Sequence, residues 1–291
     1  MAGASTRDLK RRIRSVKNTS QLTRAMKLVS AAKLRRAQEQ MLAARPYAHS
    51  LRRVIEEVAR RVEPGRHPLL AVRELRKVEL IVIAGDKGLC GSFNANILRA
   101  AENEWRRHTD AGREVELTLV GKKAVDHYRR RSAKVRERHQ DVFRSMDYTF
   151  AVDLARGVEE RFVDGLVDGV FLVFNEFKTT IAQRVVVQPL LPLAGLQKAE
   201  REEAAASEYL YEPSPERLLR GLLPRYLAFL VYHALLESIA AEHAARMTAM
   251  DSATRNADEM IAKLTLMMNR ARQAAITTEI IEVVSGAQAL G

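Results

Sequence analysis

The sequence is poor in several features that common protein classes need. Its 291 residues contain one cysteine, so an internal disulfide and a cysteine-based zinc site are excluded. Aromatic residues make up only 5%, which is low for a β-sandwich and common among long-helix proteins. The longest apolar run, 226–236, is shorter than the roughly 20 residues that cross a bilayer. We therefore expect no membrane span and a reducing compartment.

Positive charge is present in excess, and it is confined to one end. The chain has 48 Lys and Arg against 36 Asp and Glu, a net charge of +12. Residues 1–62 hold 16 of these bases and 4 of the acids, so the rest of the chain is neutral. Such a local excess indicates either a solvated helix face, an acidic protein partner or a nucleic acid.

Glycine and proline are missing from long stretches at both ends. Neither residue occurs in 4–45 or in 225–285, and most of them lie between Pro64 and Pro224. Because these residues interrupt helices, the pattern predicts two long terminal helices around a globular insert.

Apolar residues in the first segment alternate in steps of three and four from Leu34 to Val62, which is a heptad seam. Upstream, the apolar sets 9–13–16 and 22–26–29 keep this spacing but suggest a shift of phase. Pro46 falls inside the seam and predicts a kink or a join.

The last segment has a seam of the same spacing from Leu236 to Ala275, rich in Met, Ala and Thr. Ser214 is a candidate N-cap, Pro224 a candidate early break and Gly286 the expected stop. Each apolar stripe needs a cover, and the simplest cover is the other helix. Two ends that return from one insert must run antiparallel, and the longer C-terminal helix should extend past its partner.

The middle of the chain alternates strands and helices. Strands are predicted at 78–84, 115–120 and 170–177, with a hairpin return over 181–191, and helices lie between the strands. This order indicates a mostly parallel open sheet with an antiparallel edge. The predicted fold class is α plus α/β: a long antiparallel coiled coil with a central Rossmann-like domain. The predicted domains are 1–62, 63–212 and 213–291.

No catalytic constellation emerges from the residues. The loop 85–91 follows a strand and precedes a helix, but its glycine spacing is G-x-x-G-x-x-G, so a tight turn is favoured over nucleotide binding. Cys90 is expected to be a buried structural thiol. The histidines show no metal-ligand spacing, so we expect no metal and no cofactor.

Three motifs resemble the γ subunit family of rotary F-type ATP synthases. They are IRSVKNT at 13–19 with TRAM at 23–26, DKGLCG at 86–91, where the family usually has Arg in place of Lys87, and a C-terminal block. That block comprises ARMTAMDSATRNADEMI at 245–261 and NRARQAAITTEIIEVVSGAQAL at 269–290. The similarity extends from Arg7 to Leu290.

The resemblance implies a non-catalytic rotor shaft inside a hexamer of α and β subunits, present once per complex. It implies that the α/β domain contacts the ε subunit and the membrane c ring, and that rotation of the shaft drives the β-subunit catalytic sites through their conformations. Acidic β-subunit loops would face the basic N-terminal helix. The residues carried over by motif are, for the contact between shaft and collar, Met26, Arg246, Arg272, Gln273, Thr278 and Glu279, and, for the contact with the membrane ring, Tyr209, Tyr211 and Glu212.

Two other functions stay open from the residues alone. One is a basic coiled-coil protein that binds nucleic acid through residues 7–36, although no aromatic residue lies among those charges for base stacking. The other is a nucleotide enzyme that uses the loop 85–91. The resemblance favours the rotor, without nucleic acid as a partner. The lack of a transit peptide and of a regulatory cysteine pair favours the cytoplasmic face of a bacterial inner membrane.

Overall fold

Two very long helices begin and end the described chain. The computed structural model describes residues 6–62, 67–144, 146–193, 196 and 214–289. Helix α1 spans Thr6–Ala59 and helix α5 spans Pro215–Ala289, each with a proline inside it. The prediction of two long terminal helices is confirmed.

The residues between these helices form a five-stranded sheet. Its strands are β1 (Lys77–Ile83), β2 (Glu114–Val120), β3 (Lys134–His139), β4 (Gly169–Phe177) and β5 (Gln183–Leu191). The order across the sheet is β3-β2-β1-β4-β5. The first four strands are parallel, and β5 returns antiparallel to β4. The predicted parallel sheet with an antiparallel edge is therefore confirmed.

Helices cover both faces of this sheet. Helices α2 (Phe93–Asp110) and α3 (Lys122–Tyr128) pack on one face, over the apolar residues of β1 and β2. Helix α4 (Tyr148–Val163) packs on the other face, together with residues 34–59 of α1 and 219–244 of α5. Apolar burial on two faces explains why β1 and β4 are nearly continuous apolar runs.

The chain divides into two compact units. The first combines 1–30 with 246–291, and the second is 31–245. These boundaries cut both long helices, whereas the predicted domain boundaries at 62/63 and 212/213 follow the helix ends. The predicted boundaries stay a prediction.

Two expectations about α5 are wrong, and one is confirmed. Helix α5 continues through Pro224 and through Gly286. A proline removes one backbone hydrogen bond, and burial of Leu223 and Leu227 on either side of Pro224 offsets that loss. Ser214 is the N-cap as predicted, because its hydroxyl accepts the Arg217 N–H at 3.3 Å.

Helix α5 also contains an 18-residue window that is apolar enough to cross a membrane by composition. However, 61% of that window is buried inside the protein. Leu227 and Leu235, for example, belong to the core beside the sheet. The burial is that of a core helix.

Candidate functional site

In the first unit, side-chain hydrogen bonds join α1 to α5. Ser20 donates to Asp258 at 2.8 Å, the hydroxyls of Thr23 and Thr254 lie 2.7 Å apart, and Lys27 donates to Asp251 at 2.6 Å. Residue numbers rise along α1 as they fall along α5. The two helices therefore pair antiparallel, as predicted.

The seam of α1 in this unit does not shift phase, so that expectation is wrong. Leu22 and Val29 are 61% and 57% exposed, whereas Ser20, Thr23 and Ser30 are buried. Steps of four and three therefore continue from Leu9 to Leu34 through small polar residues. Hydroxyls are tolerated on the seam because they are satisfied: Thr23 faces Thr254, and Ser30 donates to the Met26 carbonyl at 2.8 Å.

This exchange leaves apolar side chains on the outside of α1. Leu22 and Val29 are exposed and Met26 is half-buried, at spacings that place all three on one helix face. Cationic side chains lie between these apolar residues and on the helical turns N-terminal to them. The exposed cations of α1 in this unit are Arg7, Lys10, Arg11, Arg12, Arg14, Lys17 and Arg24. A surface that combines apolar and cationic side chains suits a protein partner that carries carboxylates.

The far end of α5 is exposed throughout. All residues from Arg272 to Gln288 are exposed, and several are large and apolar. These are Ile276, Ile280, Ile281, Val283 and Val284, at 45–71% exposure. The expected extension of α5 past its partner agrees with this burial pattern. Soluble proteins rarely leave such apolar side chains uncovered without a binding role.

The residues carried over for the collar contact are spread along the helices. Arg246 is 8% exposed, whereas Arg272, Gln273, Thr278 and Glu279 lie on the exposed end of α5. At 1.5 Å per residue, Arg246 and Gln273 are about 40 Å apart along α5. Their contact with a collar stays a prediction. Tyr209, Tyr211 and Glu212 lie outside the described residues.

The ion pair between Lys27 and Asp251 affects the titration of the Asp251 carboxyl. The Lys27 ammonium, and beyond it the Arg255 guanidinium, lower the pKa of the Asp251 carboxyl. A lowered native pKa means that this carboxylate stabilises the fold above its unfolded pKa of about 3.9. This stabilising contribution is lost as the pH falls through the pKa that Asp251 has in the folded protein.

Lys27→Met should raise the pKa of Asp251 toward its ordinary range, because the principal cation is removed. Carboxyl chemical shifts followed by NMR against pH, with Asp251→Asn to assign the resonance, measure this. Lys17→Met is the matched control, since it removes an exposed cation from the same helix without a contact to Asp251. An unchanged Asp251 pKa in Lys27→Met would contradict the ion pair.

In the second unit, the loop 85–91 is held at the carboxyl end of β1. The Asp86 carboxylate accepts three backbone N–H groups, from Lys122, Asp141 and Phe143, each at 2.9 Å. The three donors lie just after β2 and β3, so the Asp86 carboxylate ties the loop to the ends of two neighbouring strands. The geometry is that of a structural turn.

Asn94 fixes the loop from the other side. Its amide oxygen accepts the Gly85 N–H at 2.9 Å, and its amide nitrogen donates to the Lys87 carbonyl at 3.1 Å. A Cβ atom at Gly85 would lie 2.7 Å from a carboxylate oxygen of the buried Glu242, so that side chain would have to shift. Cys90 is buried beside Phe93 and Ala241, as predicted for a structural thiol.

Leu89 is the feature of this loop that sequence reasoning missed. It has a φ of 61° and is 65% exposed. A left-handed backbone conformation is costly for leucine, and exposure adds no compensating burial. The loop thus holds an apolar side chain outward beside the exposed Lys87. Among the described residues, no group of three or more His, Cys, Asp or Glu could hold a metal ion.

These features define a class of protein: a chain whose N- and C-terminal helices pair antiparallel in one unit and whose central residues build a mostly parallel sheet with an antiparallel edge in another. The exposed surfaces described above suit protein partners. Comparisons with known proteins identify the family within that class.

A family model described as ATP synthase matches residues 5–290. The chain is 48% identical over 287 residues to the ATP synthase gamma chains of Geobacter metallireducens and Moorella thermoacetica, with 99% of each chain covered. The chain belongs to the ATP synthase gamma chain family.

Solved structures agree with this membership. A chain of the central stalk and c-ring structure of the Tetrahymena thermophila mitochondrial ATP synthase matches with a TM-score of 0.61 and 28% identity, over 80% of this chain and 99% of that one. A chain of the Euglena gracilis mitochondrial ATP synthase matches over 98% of this chain and 94% of that one, with a TM-score of 0.69. At 19% identity, the second match bears on the fold alone.

Proposed function

We propose that the chain is the central rotor shaft of a proton-translocating ATP synthase. It couples rotation of a membrane ring to conformational change at catalytic sites on β subunits, and it performs no catalysis itself. Its partners are the α and β subunits of the catalytic hexamer, the ε subunit and the c ring, with one copy of the chain in each complex. The complex lies on the cytoplasmic face of a bacterial inner membrane, and nucleic acid is not a partner.

The exposed apolar end of α5 carries this proposal. All residues of 272–288 are exposed, so their isoleucines and valines need an external cover. A collar of other subunits supplies that cover and still allows rotation, since this segment is exposed along its whole length. The predicted collar residues Arg272, Gln273, Thr278 and Glu279 belong to it.

The basic face of α1 supports the same role. Its exposed cations attract carboxylates at the encounter stage, although salt screens that attraction beyond about 8 Å. Met26, at the border between this face and the seam, is then positioned to contact a β-subunit loop. A shaft acts by biasing the states of its partner differently, and a side chain placed off the helix axis does this as the shaft turns.

A direct test mixes the purified full chain with purified α and β subunits. We expect a stable complex with a single copy of the chain, and no ATP hydrolysis by the chain alone. Turnover by the isolated chain, or failure to join the hexamer, would overturn the proposal. Steeply salt-dependent DNA binding that persists at 150 mM salt would favour the nucleic-acid alternative instead.

Removal of residues 272–291 should leave the fold intact and reduce coupled ATP synthesis severely. The described residues of this segment are exposed, so the free energy of unfolding should change by no more than about 0.5 kcal/mol. Thermal unfolding of the chain and ATP synthesis by the reconstituted complex measure the two effects. Loss of the second unit's structure on truncation would contradict this assignment.

A full-length variant separates the apolar contacts from helix length. Replacement of Ile276, Ile280 and Val284 by Gln should impair coupling as truncation does. The matched control replaces Val72 and Ile181, which are 74% and 82% exposed in the second unit, by Gln. Equal activity in both variants would show that the apolar surface is not what the collar requires.

A further inference from the structure

The two edge strands of the central sheet, β3 and β5, differ in how well they are protected against pairing with another strand. At the β3 edge, Lys134 bonds Glu114 at 2.8 Å and Glu116 at 2.5 Å, and Glu137 accepts from Arg161 at 2.7 Å. The register with β2 also shifts opposite Leu117 and Thr118. Charged side chains on an edge strand and bulges are devices that prevent an edge from pairing with another strand.

On β5 such devices lie toward the two ends, with the charged Arg184 at one end and Pro189 beside a register shift against β4 at the other. Three valines occupy 185–187, and no charged residue lies between Arg184 and the end of the strand. Val187 is 37% exposed, and Val185 and Val186 are half-buried. Among the described residues, β4 is the only strand that pairs with β5.

The hydrogen bonds of β4 reveal which backbone groups of β5 point outward. The N–H groups of Asn175 and Phe177 bond the side chains of Ser238 and Glu237 on α5, so they point away from β5. Their partners across the hairpin are Val185 and Gln183. In an antiparallel pair, such residues direct their own N–H and C=O away from the neighbouring strand.

Alternation extends this result to Val187, which lies opposite Val173. Gln183, Val185 and Val187 therefore present N–H and C=O groups along the outer edge of β5. No strand, side chain or backbone group of the described residues bonds these main-chain groups. Val185 and Val187 also share one face of the sheet, the face covered by α2 and α3.

We propose that the outer edge of β5 is the docking site for an extended strand of a partner protein. The strand pairs its main chain with Gln183, Val185 and Val187, and it places an uncharged aliphatic side chain beside Val185 and Val187. Strand addition is a recurrent mode of recognition, in which the main chain supplies affinity and alternate side chains supply specificity. The choice of another subunit over a second copy rests on the proposed function, in which the chain occurs once per complex.

Amide hydrogen exchange tests the site on the full chain, free and assembled with its ATP synthase subunits. In the free chain, the amides of Gln183, Val185 and Val187 should exchange readily, whereas that of Val186 is already protected by β4. On assembly, the three outward amides should slow by about a hundredfold. Assembly without added protection overturns the docking site but not the rotor function, whereas failure to assemble overturns the rotor function.

Other outcomes also overturn the site as stated. Protection of the three amides in the free monomer would mean that the chain covers its own edge. Protection that appears with a doubled mass in the free chain would make a second copy the occupant.

Two substitutions test how much the outer edge of β5 contributes to assembly of the complex. Val185→Pro removes one outward N–H and keeps the hydrogen bonds to β4, and it should weaken assembly by about tenfold. Val187→Lys places a charge on the edge and should act in the same direction. Val187→Thr and Val72→Lys are the matched controls and should assemble as the unaltered chain does. Normal assembly by both Val185→Pro and Val187→Lys, with thermal unfolding unchanged, would refute the proposal.

Discussion

Gly121→Ala should destabilise the second unit by about 4 kcal/mol or more, a large part of the roughly 5–15 kcal/mol that keeps a typical domain folded. Gly121 lies between β2 and α3 with a φ of 93°. A Cβ atom there would lie 1.9 Å from the carbonyl oxygen of Ala84, on the backbone that follows β1. Only movement of one strand end relative to the other relieves such a clash. Urea unfolding, read as the free energy of unfolding, measures the effect.

Gly112→Ala is the matched control for this prediction. Its φ is 74°, so the backbone penalty is of the same kind, but a Cβ atom there would have no neighbour within 4 Å among the described residues. The cost should be about 1–2 kcal/mol, from the left-handed conformation alone. A similar loss in both variants would mean that conformation, and not the approach of Ala84, makes glycine necessary at 121.

A smaller consequence concerns the neighbouring loop. Ala84 leads directly into Gly85 and Asp86, whose carboxylate bonds the N–H of Lys122 just after Gly121. Displacement at 121 should therefore disturb the loop that presents Leu89. A partial unfolding signal from this edge of the sheet, seen by amide exchange at 85–94, should accompany the global loss.

Long-range periodicity made most of the fold readable from the sequence. A heptad seam that runs for dozens of residues admits few structures other than a long paired helix. The apolar runs of β1 and β4 predicted buried parallel strands because helices cover both faces of such a sheet. The strand order and the division into two units depend on tertiary contacts, which no local pattern contains.

The predicted shift of phase in the seam between Leu9 and Leu34 is wrong for a physical reason. Apolar residues at 22 and 29 suggested a change of phase, yet the structure buries Ser20, Thr23 and Ser30 instead. Hydroxyls can replace methyl groups on a seam only where a partner satisfies them, and Thr254 and Asp258 lie more than 200 residues away in sequence. Leu22 and Val29 are exposed because the small polar residues occupy the buried positions of the seam.

The candidate site was predictable only through the family motifs. Composition located the basic helix, and helix length located the exposed end of α5. The hydrogen bonds of Asp86 and the strained backbone of Leu89 follow from the meeting of three loops, which the motif 86–91 alone does not encode. Glu79 offered a clearer signal, since it interrupts an otherwise apolar strand, but nothing local identified its partner.

That partner is Arg161 on α4. The Glu79 side chain is fully buried and accepts from Arg161 at 2.8 and 3.0 Å and from Thr118 at 2.6 Å. Arg161 also bonds Glu137 of β3 at 2.7 Å, so one guanidinium joins β1, β3 and α4. A buried charge is stable only when it is paired and fully hydrogen-bonded, and here both conditions hold.

Arg161→Ala should therefore cost about 3–5 kcal/mol in the free energy of unfolding, because it leaves the Glu79 carboxylate buried without a counter-charge. Arg156→Ala on the same helix is the control. That arginine is 65% exposed and 4.0 Å from Asp153, so its loss should cost no more than about 0.5 kcal/mol. Chemical denaturation of both variants measures the difference.

The double variant Glu79→Leu, Arg161→Leu separates the two contributions. If the loss in Arg161→Ala arises from an unpaired charge, removal of both charges should recover much of it, since apolar residues of similar volume often replace a buried ion pair without loss. Recovery should be incomplete, because Thr118 and Glu137 lose hydrogen-bond partners that leucine cannot replace. No recovery at all would mean that the cross-connection of β1, β3 and α4, and not neutralisation of Glu79, is what Arg161 contributes.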